Sequence, residues 1–226
     1  MEQNSKPGAE PAAAAAGLFK TFAASLLALF VGLGLLLSAT ERGSAFTTET
    51  VRRAAIARTP QQVPDFNVVG VDGAPTSLRR ILATGGRIWI VDFVYTRCQT
   101  VCSALGSVYQ QLQQQILDGR LQDRIGLLSI SFDPDHDSVA ALRDHAARMR
   151  MDPGVWRIVT LTTPGDRRRL LDTFGIMVVP APLGEFEHNA ALHIVDGHAR
   201  LVRIVDYDTP GRALELAQAL ASVPAR

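Results

Sequence analysis

Residues 87–102 have the sequence RIWIVDFVYTRCQTVC, a nearly continuous apolar run that leads into the chain's only two cysteines. An apolar run without polar alternation is typical of a strand buried on both faces of a sheet, here Arg87–Tyr95. After the cysteines, Ser103–Leu117 has apolar residues at spacings of three and four, the pattern of an amphipathic helix. These residues are Leu105, Val108, Leu112 and Ile116. The stretch therefore predicts a central strand, a turn that carries both cysteines, and a helix.

Strands and helices alternate along the rest of the chain. Asp65–Val71 with the turn Asp72-Gly73 predicts an opening hairpin, Thr76–Leu82 predicts a short helix or turn, and Asp196-Gly197 predicts a closing hairpin. Further strands are predicted at Ile125–Phe132, Trp156–Leu161, Ala190–Val195 and Leu201–Val205, and further helices at Ser138–Met149, Gly165–Phe174 and Arg212–Ser222. This alternation indicates an α/β protein with a mixed central sheet flanked by helices, which is a thioredoxin-like fold.

The N-terminal part of the chain has a different character. The 19 residues Phe22–Thr40 carry no charge. As a helix they would span roughly 28 Å, close to the ~30 Å hydrocarbon core of a bilayer. We therefore expect a single transmembrane anchor at residues 22–40, preceded by a disordered tail (1–21) and followed by a tether (41–62). The thioredoxin-like domain is expected at residues 63–226.

A cleaved signal peptide is the alternative to an anchor, because Gly43-Ser44-Ala45 resembles a small-residue cleavage site. The apolar region of a signal peptide is usually only ~7–15 residues, which favours the anchor. Basic residues flank the apolar segment on both sides, so the positive-inside rule gives no clean orientation. An N-terminal anchor before one globular domain with closely paired cysteines fits export of that domain. We therefore expect a single-pass protein of the inner (cytoplasmic) membrane, with its domain on the periplasmic side.

The charges of the chain are balanced. There are 23 basic and 22 acidic side chains, and the tightest basic run, Arg167-Arg168-Arg169, falls in a predicted surface helix. Nucleic-acid binding requires a clustered basic surface. The composition therefore argues against nucleic acid as a partner.

Cys98 and Cys102 are suited to metal or redox chemistry. If the helix begins near Thr100, the two thiols lie about one turn apart on the same side. The helix N-terminus and Arg97 favour the reactive thiolate, a soft ligand that prefers Cu(I), Zn or cluster iron. The same spacing permits a disulfide, with Cα atoms about 6 Å apart. A metal site, a redox pair and a structural disulfide that closes a short loop all stay open from the cysteines alone.

A third metal ligand would have to come from the five histidines. His188 precedes the strand Ala190–Val195 and follows the loop Pro180–Glu187, which would approach the tip that carries the cysteines. His193 is five residues further on, so in a regular strand it would point to the opposite face. The remaining three are predicted to be plain surface residues: His136, His145 and His198. From the residues alone, a satisfied or solvated His188 without a metal is the competing interpretation.

Three ordered motifs resemble those of a known family. They are Thr96–Cys102 (TRCQTVC), Ser131–Asp137 (SFDPDHD) and His188–Asp196 (HNAALHIVD). The Sco/SenC family has T-x-C-P-x-x-C-P, S-x-D-P-x-x-D and D-H-S-x-x-x-Y-L-x-D in the same order. The likeness extends over about residues 63–206, with the motif spacing kept. The chain is therefore identified as a divergent member of the Sco/SenC type.

This resemblance implies a copper chaperone. Cys98, Cys102 and His188 would be the ligands of Cu(I) or Cu(II), Asp133-Pro134 would shape a loop before a helix, and Cys98 and Cys102 would form a disulfide when oxidised. The implied recipient is the dinuclear copper centre of cytochrome c oxidase subunit II. A periplasmic copper donor or thiol reductant would be a further partner.

The chain departs from the family pattern at four positions. Gln99 and Ser103 replace the prolines that follow the cysteines, Glu187 replaces the aspartate before the histidine, and His193 replaces a tyrosine. The three ligand positions are kept.

The rival function is a membrane-anchored thiol–disulfide oxidoreductase. Val91-Asp92-Phe93 precedes Cys98 much as a Val-Asp-Phe precedes the first active cysteine of thioredoxins, and a buried Asp92 could take a proton from a cysteine. The extra residue between the cysteines and the match at His188 favour the copper role.

Overall fold

The computed structural model describes residues 10–39, 48–97, 101–182 and 185–222, without the side chains of residues 10–19, 21, 36–39, 48 and 101–104. The chain divides into two compact units, Met1–Ala55 and Ile56–Arg226. The predicted sites on Cys98 and on the side chain of Cys102 lie outside the described residues.

Helix α1 occupies Glu10–Ala39, and the side chains of residues 22–35 are exposed. In the part of the chain that the structure describes, no helix is both long enough and apolar enough to cross a membrane. The anchor at residues 22–40 stays a prediction. Helix α1 begins within the segment that was predicted to be a disordered tail.

Helix α2, Thr48–Arg58, lies in the segment predicted as a tether. Glu49 accepts a hydrogen bond from Arg53 at 3.0 Å, and Arg52 lies 3.7 Å from the same carboxylate. Ion pairs at i, i+3 and i, i+4 stabilise a helix that lacks an apolar stripe. Short local pairs of this kind leave no hydrophobic period in the sequence, which is why the helix was not predicted.

The larger unit is built on an eight-stranded mixed sheet with the order β1-β10-β9-β4-β5-β6-β2-β3. β4, β5 and β6 are parallel neighbours, and the other pairings are antiparallel. A separate hairpin consists of β7 and β8. The strands are β1 Gln61–Gln62, β2 Asn67–Gly70, β3 Pro75–Ser77, β4 Ile88–Val94, β5 Ile125–Ser131, β6 Trp156–Leu161, β7 Val178–Pro180, β8 Phe186–His188, β9 Ala191–Val195 and β10 Arg200–Asp206.

Helices cover both faces of this sheet. They are α3 Leu78–Ala83, α4 Val101–Asp118, α5 Val139–Met149, α6 Arg167–Phe174 and α7 Pro210–Ala221. Alternate residues of β4 belong to different cores: Val91 and Phe93 pack with α3 and α6, whereas Ile90 packs with α4 and α7. Side chains in a strand alternate between faces, so an apolar residue at every position of β4 serves both cores.

The predicted α/β fold with a mixed central sheet is confirmed. The strands and helices predicted from Arg87 onward are present, and Ser138 caps α5 by accepting a hydrogen bond from the backbone N–H of Ala141 at 3.3 Å. Two segments differ. Thr76–Leu82 is divided between β3 and α3, and the predicted loop Pro180–Glu187 includes strand residues of the β7–β8 hairpin. Strands of three residues are too short to show a period of two in the sequence.

Candidate metal centre

The candidate site lies at one edge of the sheet. β4 and β5 are parallel, so their carboxyl ends meet at the same edge. β4 continues into Tyr95, Thr96 and Arg97, and Arg97 directly precedes Cys98. The backbone of Cys102 lies in the first turn of α4, which begins at Val101 and thus two residues before the predicted Ser103. Both cysteines therefore belong to the segment that joins the end of β4 to the N-terminus of α4.

Asp137 fixes the beginning of this cysteine segment. Its buried carboxylate accepts hydrogen bonds from the backbone N–H of Thr96 at 3.0 Å and from the Thr96 hydroxyl at 2.6 Å. The Ser131 hydroxyl donates a third, at 2.5 Å. Charge-assisted bonds in a buried site are strong and directional. In the sequence, only the place of Asp137 as the final residue of the second motif could have suggested this role.

Asp133 contacts three basic side chains next to the cysteine segment. Its carboxylate lies 2.9 Å from Arg97, 3.2 Å from Arg167 and 3.0 Å from Nδ1 of His136. Burial raises the pKa of Asp133, but the hydrogen bonds and charges of His136 and Arg97 outweigh this effect and hold the pKa below its ordinary value. Asp133 therefore stays ionised at neutral pH and anchors Arg97, the residue before Cys98.

His188 reaches this edge on the β7–β8 hairpin. It pairs with Val178 across the hairpin, and its ring lies 5.2 Å from the ring of Phe132, at the end of β5. Nδ1 of His188 is 3.2 Å from the backbone oxygen of Asn189. If Nδ1 carries the proton and donates to that oxygen, Nε2 has the lone pair that binds a metal. The imidazole therefore fits the role of a metal ligand.

Tyr95 connects the hairpin to the strand that leads to the cysteines. The Tyr95 hydroxyl donates a short hydrogen bond to the carboxylate of Glu185 and accepts one from the backbone N–H of Phe186 at 3.1 Å. The rings of Tyr95 and Phe186 meet edge to face, with centroids 5.3 Å apart. Tyr95 lies three positions before Cys98 in the sequence. The hairpin that carries His188 is thus held against the start of the cysteine segment, and sequence reasoning missed this contact.

His193 lies in the core rather than at the site. It is 1% exposed, its Nε2 is 3.0 Å from the backbone oxygen of Phe174, and it packs edge to face with Phe93 and Phe174. The predicted separation from His188 stands, but the reason given for it was wrong. His188 is in β8 and His193 is in β9, so the two residues do not share one regular strand.

The other three histidines differ in their surroundings. His198 is exposed in the β9–β10 turn, as predicted. His136 is about half exposed and contacts Asp133. The prediction for His145 was wrong, because this residue lies on the buried face of α5. Burial and the charge of Arg148 lower the pKa of His145, which keeps the ring neutral.

The described residues include no group of three or more His, Cys, Asp or Glu side chains arranged to hold a metal. The two thiols lie outside that set. Two thiolates and one imidazole are a soft donor set that suits copper in three-coordinate geometry. The chemistry of the residues in the three predicted ligand positions therefore fits copper.

Asp92 is the residue on which the rival function depends. It lies in β4 opposite Ser129, on the face that packs against α4. Burial raises the pKa of Asp92 to about 7, against the hydrogen bonds of Ser129 and Tyr109. A buried carboxyl group that titrates near neutral pH is suited to proton transfer.

Comparison with known proteins places the chain in a family. Residues 54–223 match the family model described as SCO1/SenC. The SCO1 protein homolog of Bacillus subtilis (strain 168) is 25% identical over 153 residues, which are 65% of this chain and 74% of that protein.

Solved structures share the fold. A SCO1/SenC family lipoprotein from Bacillus anthracis str. Ames has a TM-score of 0.65 and 22% identity, over 73% of this chain and 99% of that one. BsSco, a member of the Sco family of cytochrome c oxidase assembly proteins with a disulfide switch, has a TM-score of 0.62 and 20% identity, over 74% of this chain and 96% of that one. Yeast Sco1 with copper bound has a TM-score of 0.58 and 17% identity, over 74% of this chain and 92% of that one. The sheet therefore matches the thioredoxin-like fold of Sco proteins, and the chain belongs to the SCO1/SenC family.

Proposed function

We propose that this protein binds one copper ion through Cys98, Cys102 and His188 and delivers it to the dinuclear copper centre of cytochrome c oxidase subunit II. One observation carries the proposal: Glu185 and Phe186, at the start of the strand with His188, are hydrogen-bonded to the hydroxyl of Tyr95, which lies three positions before Cys98. A ligand from a remote part of the chain is thereby brought to the segment with both thiols. Solved Sco structures with copper bound and the described role of BsSco in oxidase assembly support the same assignment.

Copper would be cargo in this reaction. Two thiolates and one neutral imidazole hold Cu(I), and a partner with similar soft ligands can take the ion by replacing them one at a time. Copper binding requires the reduced dithiol, so the Cys98–Cys102 disulfide and the copper-loaded form exclude each other. A periplasmic thiol reductant would restore the dithiol by thiol–disulfide exchange, in which the partner's two thiols become a disulfide.

Copper stoichiometry of the full-length protein in detergent tests this function. We expect about one copper per chain in the reduced protein and almost none in the oxidised protein. The double variant Cys98→Ala/Cys102→Ala removes every thiol of the chain and should lose tight binding. His198→Ala, an exposed histidine in the β9–β10 turn, is the matched control and should bind normally. Full occupancy in the double variant would refute the copper site.

Thiol–disulfide exchange as the primary activity is the second candidate, and the burial of Asp92 favours it. Under this alternative, Asp92→Asn slows disulfide exchange with a small dithiol such as dithiothreitol, and His188→Ala leaves the rate unchanged. Under the copper proposal, His188→Ala weakens copper binding. The two measurements on the same pair of variants separate the two functions.

We further propose that residues 22–40 are kept as a membrane anchor and that the domain faces the periplasm. The uncharged 19-residue run supports the anchor. A lipoprotein relative from Bacillus anthracis is consistent with membrane association of the family. The intact mass of the membrane-extracted protein should correspond to a chain that includes residues 22–40. A mature chain that begins near Phe46 would show a cleaved signal peptide instead.

A further inference from the structure

The base of the β7–β8 hairpin is closed by one side chain, Asn189. Its Nδ2 donates a hydrogen bond to the backbone oxygen of Gly175 at 2.9 Å. Its Oδ1 accepts one from the backbone N–H of Met177 at 2.7 Å. Asn189 directly follows β8, and Gly175 and Met177 lie shortly before β7. These two hydrogen bonds, called the latch below, therefore hold the two ends of the hairpin together.

Gly175 gives this latch a fixed point. It caps the C-terminus of α6 in the left-handed conformation, with φ 66° and ψ 34°. Leu170 and Phe174 of α6 are fully buried in the core, and Leu171 is nearly so. α6 is held in place by these buried residues. The hydrogen bond from Asn189 to Gly175 therefore fixes the base of the hairpin relative to α6.

The same residue also orients the imidazole. The backbone oxygen of Asn189 lies 3.2 Å from Nδ1 of His188. When Asn189 moves, both the hairpin base and the acceptor for Nδ1 move with it. A metal-binding histidine commonly donates its second N–H to a carbonyl in this way, which fixes the tautomer and the ring orientation.

We propose that Asn189 is a positioning residue for His188, acting through the side-chain latch at Gly175 and Met177 and through its own carbonyl. This inference rests on the proposed function, since it assigns His188 to the copper site. The latch needs a donor and an acceptor on one short side chain, and the asparagine amide supplies both. Aspartate has the same shape but cannot donate to Gly175 when ionised.

The test compares Asn189→Asp and Asn189→Ala with Asn67→Asp and Asn67→Ala in the full-length protein. Asn67 is exposed on β2, next to the edge strand β3, and these controls make the same chemical changes away from the candidate site. Hydrogen exchange of the Met177 amide in the copper-free protein reports the latch directly. Exchange should become faster in Asn189→Ala, which removes the acceptor of this amide. It should change less in Asn189→Asp, whose carboxylate can still accept from Met177 but cannot donate to Gly175. It should stay unchanged in both controls.

Copper affinity and the Cu(II) EPR spectrum report the effect on the site. Loss of a group that orients a metal ligand typically weakens metal binding by ~10–100-fold. We expect at least about a tenfold loss and an altered spectrum for both Asn189 variants, with a thermal midpoint close to that of the parent protein. Normal copper affinity and an unchanged spectrum in Asn189→Ala would overturn the proposal.

His188→Ala, measured in parallel, separates this inference from the proposed function. If His188→Ala binds copper as tightly as the parent protein, the proposed ligand set is wrong and the role of Asn189 falls with it. If His188→Ala weakens copper binding and Asn189→Ala does not, only the positioning role is refuted. Rapid exchange at Met177 together with weakened copper binding would support both.

Discussion

Thr96 donates its backbone N–H and its hydroxyl to the carboxylate of Asp137, 41 residues further along the chain. The contact is buried, and it lies two residues before Cys98. The cysteine segment therefore begins at a point that is fixed from outside the segment. This anchoring matters here because the prolines that usually follow the cysteines in the family are replaced by Gln99 and Ser103.

Asp137→Asn should destabilise the protein and weaken copper binding. The amide nitrogen of asparagine cannot accept the hydrogen bonds that one carboxylate oxygen now receives, which leaves buried donors without a partner. The expected cost is of the order of 1–3 kcal/mol. Urea unfolding and copper titration check the two effects. Asp208→Asn, at an exposed position, is the control. If Asp137→Asn unfolds at the same urea concentration as this control, Asp137 does not hold the segment.

His188→Ala and His193→Ala should have opposite effects. His188→Ala removes a proposed ligand, so copper affinity should fall while stability changes little. His193→Ala removes a buried ring that packs on Phe93 and Phe174. Its loss should cost about 2 kcal/mol or more in unfolding free energy and leave copper affinity unchanged. Copper titration and thermal unfolding of both variants check this; loss of copper in His193→Ala with retention in His188→Ala would show that the third ligand is misassigned.

The buried Asp92 should make stability fall as pH rises from about 4 to 7. Its pKa is about 7 in the folded chain and 3.8 as the ordinary value, so across this window the folded protein keeps a proton that the unfolded chain has lost. Each pKa unit corresponds to about 1.4 kcal/mol, which gives a loss of the order of 4 kcal/mol for this group. Unfolding free energies of the parent protein at pH 4 to 8 contain this loss together with an opposite contribution from His145, whose lowered pKa makes stability rise as pH approaches 6.5. The contribution of Asp92 is therefore the difference between the parent protein and a variant without this carboxyl group.

Asp92→Asn should remove the loss of stability between pH 4 and 7 that Asp92 causes, because asparagine does not titrate. Asp133 does not interfere in this window: its lowered pKa gives stability that is present above the ordinary pKa and is lost only as pH falls below it. An equal slope in Asp92→Asn and the parent protein would mean that Asp92 is charged in the folded chain at these pH values.

Gly126→Ala should destabilise the sheet. Gly126 pairs with Trp89 across β4 and β5, and a Cβ there would lie 2.6 Å from the indole ring. The ring cannot withdraw easily, because Trp89 is buried in the packed core. Overpacking of this kind costs about 1–3 kcal/mol. Gly165→Ala is the control, since a Cβ there meets nothing within 4 Å. Equal thermal midpoints for the two variants would contradict the clash.

The sequence alone was enough for the central strands of the sheet and for a hypothesis about the candidate site. The apolar run of β4 and the three-and-four spacing of α4 are local patterns, and a strand or helix imposes them over a few residues. The order of the three motifs indicated the family, which the family model confirms, and the three proposed ligand positions. The same reasoning failed at α2 and at the β7–β8 hairpin, where short elements carry no repeated hydrophobic pattern.

The tertiary structure decided how the parts of the site are joined. Tyr95 with Glu185, Thr96 with Asp137, and Asn189 with Gly175 are hydrogen-bonded pairs between residues 14 to 90 positions apart. It also showed His145 and His193 to be buried, and it placed His188 and His193 in separate strands. The two residues of such a pair meet only after the secondary-structure elements that carry them have packed together. The residues next to them in the sequence therefore show no repeating pattern from which the contact could be predicted. Local hydrophobic patterning determined the elements, and only their packing determined which polar groups meet at the candidate site.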